Sequence, residues 1–134
     1  MVKIAHFSIK MTELTALLGI HDGAVLETYD YALTSSHFSV TKAATPEEMI
    51  RLAEPNQHYA YIMDLNFGKP GSSDITPALS VYNQVRSRVE AGEAKFVGIS
   101  GNPTTVEAAK QQGIPAYYKT DFSIAEFAKQ VHKS

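Results

Sequence analysis

The chain has 134 residues, 44% of them hydrophobic and 19% charged, with a net charge of −2 and no cysteine. Those values fit one folded domain with a sizeable core and exclude a disordered chain, a disulfide scaffold, thiolate metal sites and a cysteine nucleophile. Scattered lysines and arginines give no footprint for nucleic acid or an anionic membrane.

The first eleven residues, MVKIAHFSIKM, are too short and too polar for a signal peptide or a membrane span, so a cytoplasmic domain is expected. Residues 14–20 (LTALLGI) form the first apolar run and end at His21-Asp22-Gly23. Val25, Leu26, Tyr29, Ala32 and Leu33 then recur at helical spacing over 24–35. A short β-branched run follows at 37–43 (HFSVTKA). Thr45-Pro46-Glu47-Glu48 carries the marks of a helix start: a threonine cap, proline in the first turn, and acids against the positive end of the dipole. Residues 59–64 (YAYIMD) read as the third strand, and Ile75, Leu79, Tyr82, Val85 and Val89 as the apolar face of a helix ending near Gly92. KFVGIS (95–100), a helix over 103–112, IPAYYK (114–119) and a last amphipathic helix with Ile124, Phe127, Ala128 and Val131 complete the pattern.

Five short β–α units predict an α/β, flavodoxin-like (βα)5 doubly wound sheet of five parallel strands. Its strands are continuously apolar, as burial on both faces requires. Residues 1–13 are expected to be a short extension, an added edge strand or a homodimer contact, and 14–134 the domain itself. A second register makes residues 2–9 (VKIAHFSI) the first strand and 12–35 one helix. Gly19 and Gly23 speak against it, since each glycine costs such a helix about 1 kcal/mol relative to alanine.

In sheets of this kind, sites gather at the carboxyl ends of the strands. The residues placed there are His21 and Asp22, then Asp64, Ser100 and Lys119. Two carboxylates suit a hard cation such as Mg²⁺, and a hydroxyl with an ammonium suits anionic oxygens. Together they suit movement of a phosphoryl group onto or off a carboxylate. Each residue also has a plainer role: Asp64 closing a turn, Asp22 capping the first helix, Ser100 turning the chain, Lys119 solvated at the surface.

On the acid after the first strand, DLN after the third, GISGN at the fourth and YYKTDF at the fifth, residues 14–133 resemble the receiver domains of two-component response regulators. The resemblance implies a stand-alone switch rather than an enzyme with turnover. Asp64 would accept a phosphoryl group from a histidine kinase or histidine phosphotransfer protein. Asp22, Asp64 and the backbone carbonyl of Asn66 would hold Mg²⁺, and His21 would stand beside the metal where the family has a first acid. Ser100 and Lys119 would contact the phosphoryl oxygens, with output through a downstream protein target.

The chain departs from the family at His21, at Thr120 where a cis proline is usual, and at Ala116 where the switch aromatic is usual. A cis bond before a non-proline residue costs about 2.5–4 kcal/mol, so a trans approach of Lys119 is expected. These departures define the alternative, a phosphate-independent pseudo-receiver that acts as an interaction module. A metal-dependent phosphatase is a weaker third reading, because Asn66 stands two residues after Asp64 where a second catalytic acid is needed.

Overall fold

The computed structural model describes residues 14–133. The first-strand alternative at 2–9 and the expected extension at 1–13 lie outside the described residues. Five strands form one parallel sheet in the order β2-β1-β3-β4-β5: β1 Thr15–Gly19, β2 Ser39–Lys42, β3 Ala60–Asp64, β4 Lys95–Ser100 and β5 Ala116–Tyr118. Five helices connect or follow them: α1 Gly23–Ser35, α2 Pro46–Ala53, α3 Thr76–Glu90, α4 Pro103–Gln111 and α5 Ile124–Lys133. This is the flavodoxin-like doubly wound sheet expected from the pattern of apolar runs.

The central strands are buried on both faces, and the alternation along β3 shows how. Ala60 and Ile62 face a core with Leu18, Val97 and Ile99 under α1 and α5, while Tyr61 and Met63 face a second core with Leu17 and Phe96 under α2, α3 and α4. Full burial of each large apolar side chain contributes roughly 1.5–3 kcal/mol. The edge strand β2 is mostly exposed.

Local signals set the helix starts. Thr45 Oγ1 accepts from the Glu48 amide at 3.1 Å, and Glu48 Oε1 accepts from the Ala44 amide at 2.7 Å, a near relative of the capping box. Asn102 caps α4 through the Thr104 amide at 2.9 Å. Strand ends are shorter than the apolar runs suggested. His37 takes a positive φ of 70° and delays β2 to Ser39, and β5 stops at Tyr118 because Lys119–Asp121 coil into a 3₁₀ turn.

At the amino end of the sheet, opposite the candidate site, Arg88 ties α3 to the loop before β3. Its guanidinium donates to the Asn56 carbonyl at 2.7 Å and the His58 carbonyl at 2.9 Å. Tyr61 Oη accepts from the His58 amide at 3.0 Å, and the His58 ring meets Thr15 Oγ1 at 3.0 Å. Replacing Arg88 with leucine orphans two carbonyls in a half-buried setting, so a loss of about 1–3 kcal/mol is expected in urea unfolding.

Burial, then the nearby Arg88, lower the His58 pKa below 6.5. The unfolded chain therefore binds the proton more readily, and stability falls as pH drops from about 6.5 toward the lower folded value. Melting curves across that window should flatten in a His58→Gln variant.

Candidate functional site

The order β2-β1-β3-β4-β5 reverses the direction of winding between β1 and β3, which opens a crevice beyond their carboxyl ends. A cavity of about 300 Å³ lies there. His21, Asp22, Asp64, Asn66, Ser100 and Lys119 all line it, so the five residues chosen from the strand ends converge with the asparagine that the resemblance added.

Asp64 is the last residue of β3, and its side chain is 18% exposed. The plain alternative, a carboxylate closing its own turn, is not what the side chain does. The turn is made by the Asp64 carbonyl, which accepts from the Phe67 amide at 3.1 Å, while Oδ2 accepts from the His21 amide at 2.7 Å across the crevice. Burial raises the Asp64 pKa, as does the charge of Asp22; the His21 amide, the His21 ring and Lys119 pull it back. The acid is thus costly to ionise and is ringed by groups that favour the ionised form.

Asp22 does cap α1, through Oδ1 to the Ala24 and Val25 amides at 2.9 and 3.2 Å. This leaves Oδ2 for a second task. The His21 ring reaches across the loop after β3: Nε2 lies 3.3 Å from Asn66 Oδ1 and 3.6 Å from Asp64 Oδ2, and Nδ1 accepts from the Gly68 amide at 3.4 Å. Those contacts fit the tautomer with the proton on Nε2. His21 therefore pins Asp64 and its loop together.

Asn66 donates from Nδ2 to the carbonyls of Lys69 and Ser72, at 3.2 and 2.8 Å. Lys69 pairs with Asp74 at 2.6 Å, and Asp74 in turn accepts from the Thr76 amide at 2.9 Å at the start of α3. The long loop after Asp64 is therefore a folded wall of the crevice, ending in a helix. Below it, Gly98 of β4 leaves room for the Leu65 side chain; a Cβ there would collide with Leu65.

Ser100 is 8% exposed and uses Oγ to accept from the Asn102 amide at 3.0 Å, so it turns the chain while its hydroxyl proton stays free for the cavity. Lys119 opens the 3₁₀ turn, packs over Gly101 and lies within electrostatic reach of Asp64. Its bond to Thr120 is trans, as expected. Ala116 is buried and pairs with Gly98, whereas Tyr117 is 40% exposed and Tyr118 packs on the core.

The donor chemistry fits Mg²⁺. Two carboxylates that repel one another and the Asn66 carbonyl, which accepts a single amide (Lys69 at 2.8 Å), are all hard oxygens, and Mg²⁺ takes few protein ligands and keeps water for the rest. Among the described residues, no group of three or more histidines, cysteines or acids is arranged to hold a metal by side chains alone.

No family model matches the chain, and no curated protein matches it. Solved structures do. The receiver domain of a Pseudomonas aeruginosa sensor histidine kinase, with a magnesium ion coordinated in its active-site cleft, is 20% identical with a TM-score of 0.63, over 90% of this chain and 95% of that one. A CheY-like receiver domain protein from Methanospirillum hungatei is 16% identical with a TM-score of 0.65, over 90% and 91%. A Burkholderia pseudomallei response regulator with a phosphorylated aspartic acid, a calcium ion and citrate is 18% identical with a TM-score of 0.64, over 90% and 71%. The fold is that of a response-regulator receiver domain.

One lining residue of this receiver fold was read from the sequence as packing: Tyr29 of α1. The signal was available, because Asp22, Val25 and Tyr29 share one helical face, and Asp22 sits at the crevice. Burial and then the Asp64 charge push the Tyr29 phenol up to about 12.

The raised Asp64 pKa carries a stability cost. The folded form takes up its proton more readily than the unfolded chain, whose acid titrates near 3.8. Asp64 therefore stabilises the fold when protonated, and that contribution is lost as pH rises through the folded value. Asp64→Asn is expected to melt several degrees above the parent at neutral pH, with the gap narrowing in acid. Thermal unfolding by circular dichroism at both pH values reads this directly.

Proposed function

We propose that the chain is a phosphorylation-dependent signalling switch in which Asp64 accepts a phosphoryl group and the changed surface is read by another protein. The observation that carries this reading is a largely buried carboxylate at a strand end whose side chain serves no cap or turn of its own loop, facing Lys119 and Ser100 across one cavity. The phosphoryl donor is the phosphohistidine of a kinase or a phosphotransfer protein. An Asp64 oxygen forms the new bond to phosphorus as the phosphorus–nitrogen bond breaks, and the imidazole leaves with the electron pair.

Each residue has a role in this reading. Lys119 pairs with a phosphoryl oxygen, the Ser100 hydroxyl donates to another, and His21 fixes the Asp64 carboxylate through its amide. Mg²⁺ held by Asp64, Asp22 and the Asn66 carbonyl would supply the charge neutralisation that phosphoryl transfer needs. The chemistry is stoichiometric, so the protein is a switch rather than an enzyme with turnover. Residues 14–134 are the receiver-like unit and 1–13 an extension to it. No helix among the described residues is long and apolar enough to cross a membrane, and we place the protein in the cytoplasm with its kinase and its target.

A phosphate-independent interaction module is the second reading. It is favoured by His21, which stands where the family has an acid and links Asp64 to Asn66 and Gly68.

Intact-mass spectrometry after incubation with a small acyl-phosphate donor and with a phosphorylated histidine phosphotransfer protein separates the two. The switch requires a gain of one phosphoryl group that depends on Mg²⁺ and disappears in Asp64→Asn. A folded protein that gains none from either donor is the interaction module.

A further inference from the structure

Tyr29 lines the cavity, and the proposed switch gives it no task. Its side chain is only 8% exposed, yet it lines the cavity beside Asp64, Ser100 and Lys119. The ring packs edge-on against Phe122, with centroids 6.0 Å apart at 62°. Val25, one turn earlier on the same face of α1, lines the cavity too, and Asp22 caps that helix.

The phenol makes no hydrogen bond to any described residue. A purely structural position would be served as well by phenylalanine or leucine. Phenylalanine would fill the same place against Phe122. Keeping the hydroxyl at this depth makes chemical sense if something else in the cavity accepts from it.

The nature of that acceptor follows from the surroundings. Burial and the Asp64 charge keep the phenol protonated well above neutral pH, so it is a donor and never a competing anion. Lys119 supplies a positive charge and Ser100 a second hydroxyl on the same cavity. Two neutral hydroxyl donors and an ammonium around one space fit a tetrahedral oxyanion, whose several oxygens take one donor each.

We propose that Tyr29 is an oxyanion-binding residue of this site, donating its phenolic proton to a phosphate or phosphoryl oxygen from the α1 side while Lys119 and Ser100 hold the others. The inference rests on the proposed function in placing the phosphoryl group at Asp64. It extends that reading by assigning α1, and through Phe122 the turn before α5, a direct contact with the ligand. Phe122 also meets Tyr117 and Phe127 in tilted contacts, with centroids 5.6 and 6.0 Å apart.

The test uses the full chain with tyrosine rings carbon-13 labelled, titrated with inorganic phosphate in the presence of Mg²⁺ and followed by NMR. The Tyr29 ring signals are expected to shift saturably with phosphate, and Tyr29→Phe to weaken phosphate binding about tenfold, as for one lost hydrogen bond to a charged group. Tyr117→Phe, on an exposed tyrosine, is expected to bind as the parent does. The variant removes only a hydroxyl, and the ring shifts of the unmutated chain give an answer even where a variant folds poorly. Phosphate that binds with no Tyr29 shift and with equal affinity in Tyr29→Phe overturns the proposal, as does the absence of any saturable phosphate binding.

Phosphoryl uptake from the acyl-phosphate and phosphohistidine donors, measured in parallel on the parent chain, keeps the two readings apart. Uptake without any role for Tyr29 leaves the switch standing and removes this inference. A Tyr29-dependent phosphate site in a chain that takes no phosphoryl group keeps the oxyanion contact and removes the switch.

Discussion

The structure is organised around one unfavourable choice: an ionisable carboxylate carried to the end of a buried strand. Asp64 follows Ile62 and Met63, both fully buried, and its own side chain is four-fifths withdrawn from water. A carboxylate in such a place is driven toward its neutral form unless other groups answer the charge. The His21 amide, the His21 ring and Lys119 answer it in part, and Asp22 works against them. Those three residues come from the ends of β1 and β5, so the balance on one acid ties together strands that do not touch one another.

That balance explains why the surrounding loops are so fully bonded. The segment after β3 has no regular secondary structure of its own, yet Asn66, Lys69, Ser72, Asp74 and Thr76 form a continuous chain of hydrogen bonds from the site to the first turn of α3. A loop tethered in this way keeps the crevice walls in place and leaves the Asp64 side chain without a partner from its own turn. His21 occupies a pivotal position because one residue contacts the acid, the asparagine and the Gly68 amide. In that place a second carboxylate would bring like charge against Asp64, whereas imidazole brings a donor and an acceptor. The electrostatic cost at Asp64 is accordingly lower, and fewer carboxylates remain to attract a cation.

Much of this was legible in the residues themselves. Continuous apolar runs such as IMD and FVGIS can be satisfied only by a sheet covered on both sides, and alternation with helical segments then leaves one handedness and one end for a site. The strand ends followed from where apolar runs meet polar residues, which is why His21, Asp22, Asp64, Ser100 and Lys119 were found without a structure, while Asn66 came from the resemblance. Boundaries at β2 and β5 were harder. His37 adopts a positive φ and Lys119 begins a 3₁₀ turn, and neither residue type announces that conformation. Tyr29 escaped for a different reason: on a helical wheel a tyrosine among Val25, Leu26 and Leu33 reads as core, and the face it shares with Asp22 was the one sign that it borders the site. Asp22 shows the reverse case, where the two roles open in the sequence prove compatible, one oxygen capping the helix and the other left over.

The departures from the usual receiver pattern fall on two different physical functions. His21 alters the charge around Asp64, while Ala116 and Thr120 alter how β5 could report a change there. Ala116 is buried against Gly98 and has no ring to rotate, and Tyr117, which is exposed, sits one position along the strand and therefore faces the other side of the sheet. What Tyr117 does possess is a contact with Phe122, which also meets Tyr29 and Phe127. A row of aromatic contacts thus runs from the cavity, through the turn before α5, to an exposed ring on β5. Aromatic rings in contact prefer particular relative orientations, so a displacement at one end has a physical route to the other. The aromatic cluster anchored on α1 is thus the packed connection between the cavity and the exposed ring on β5.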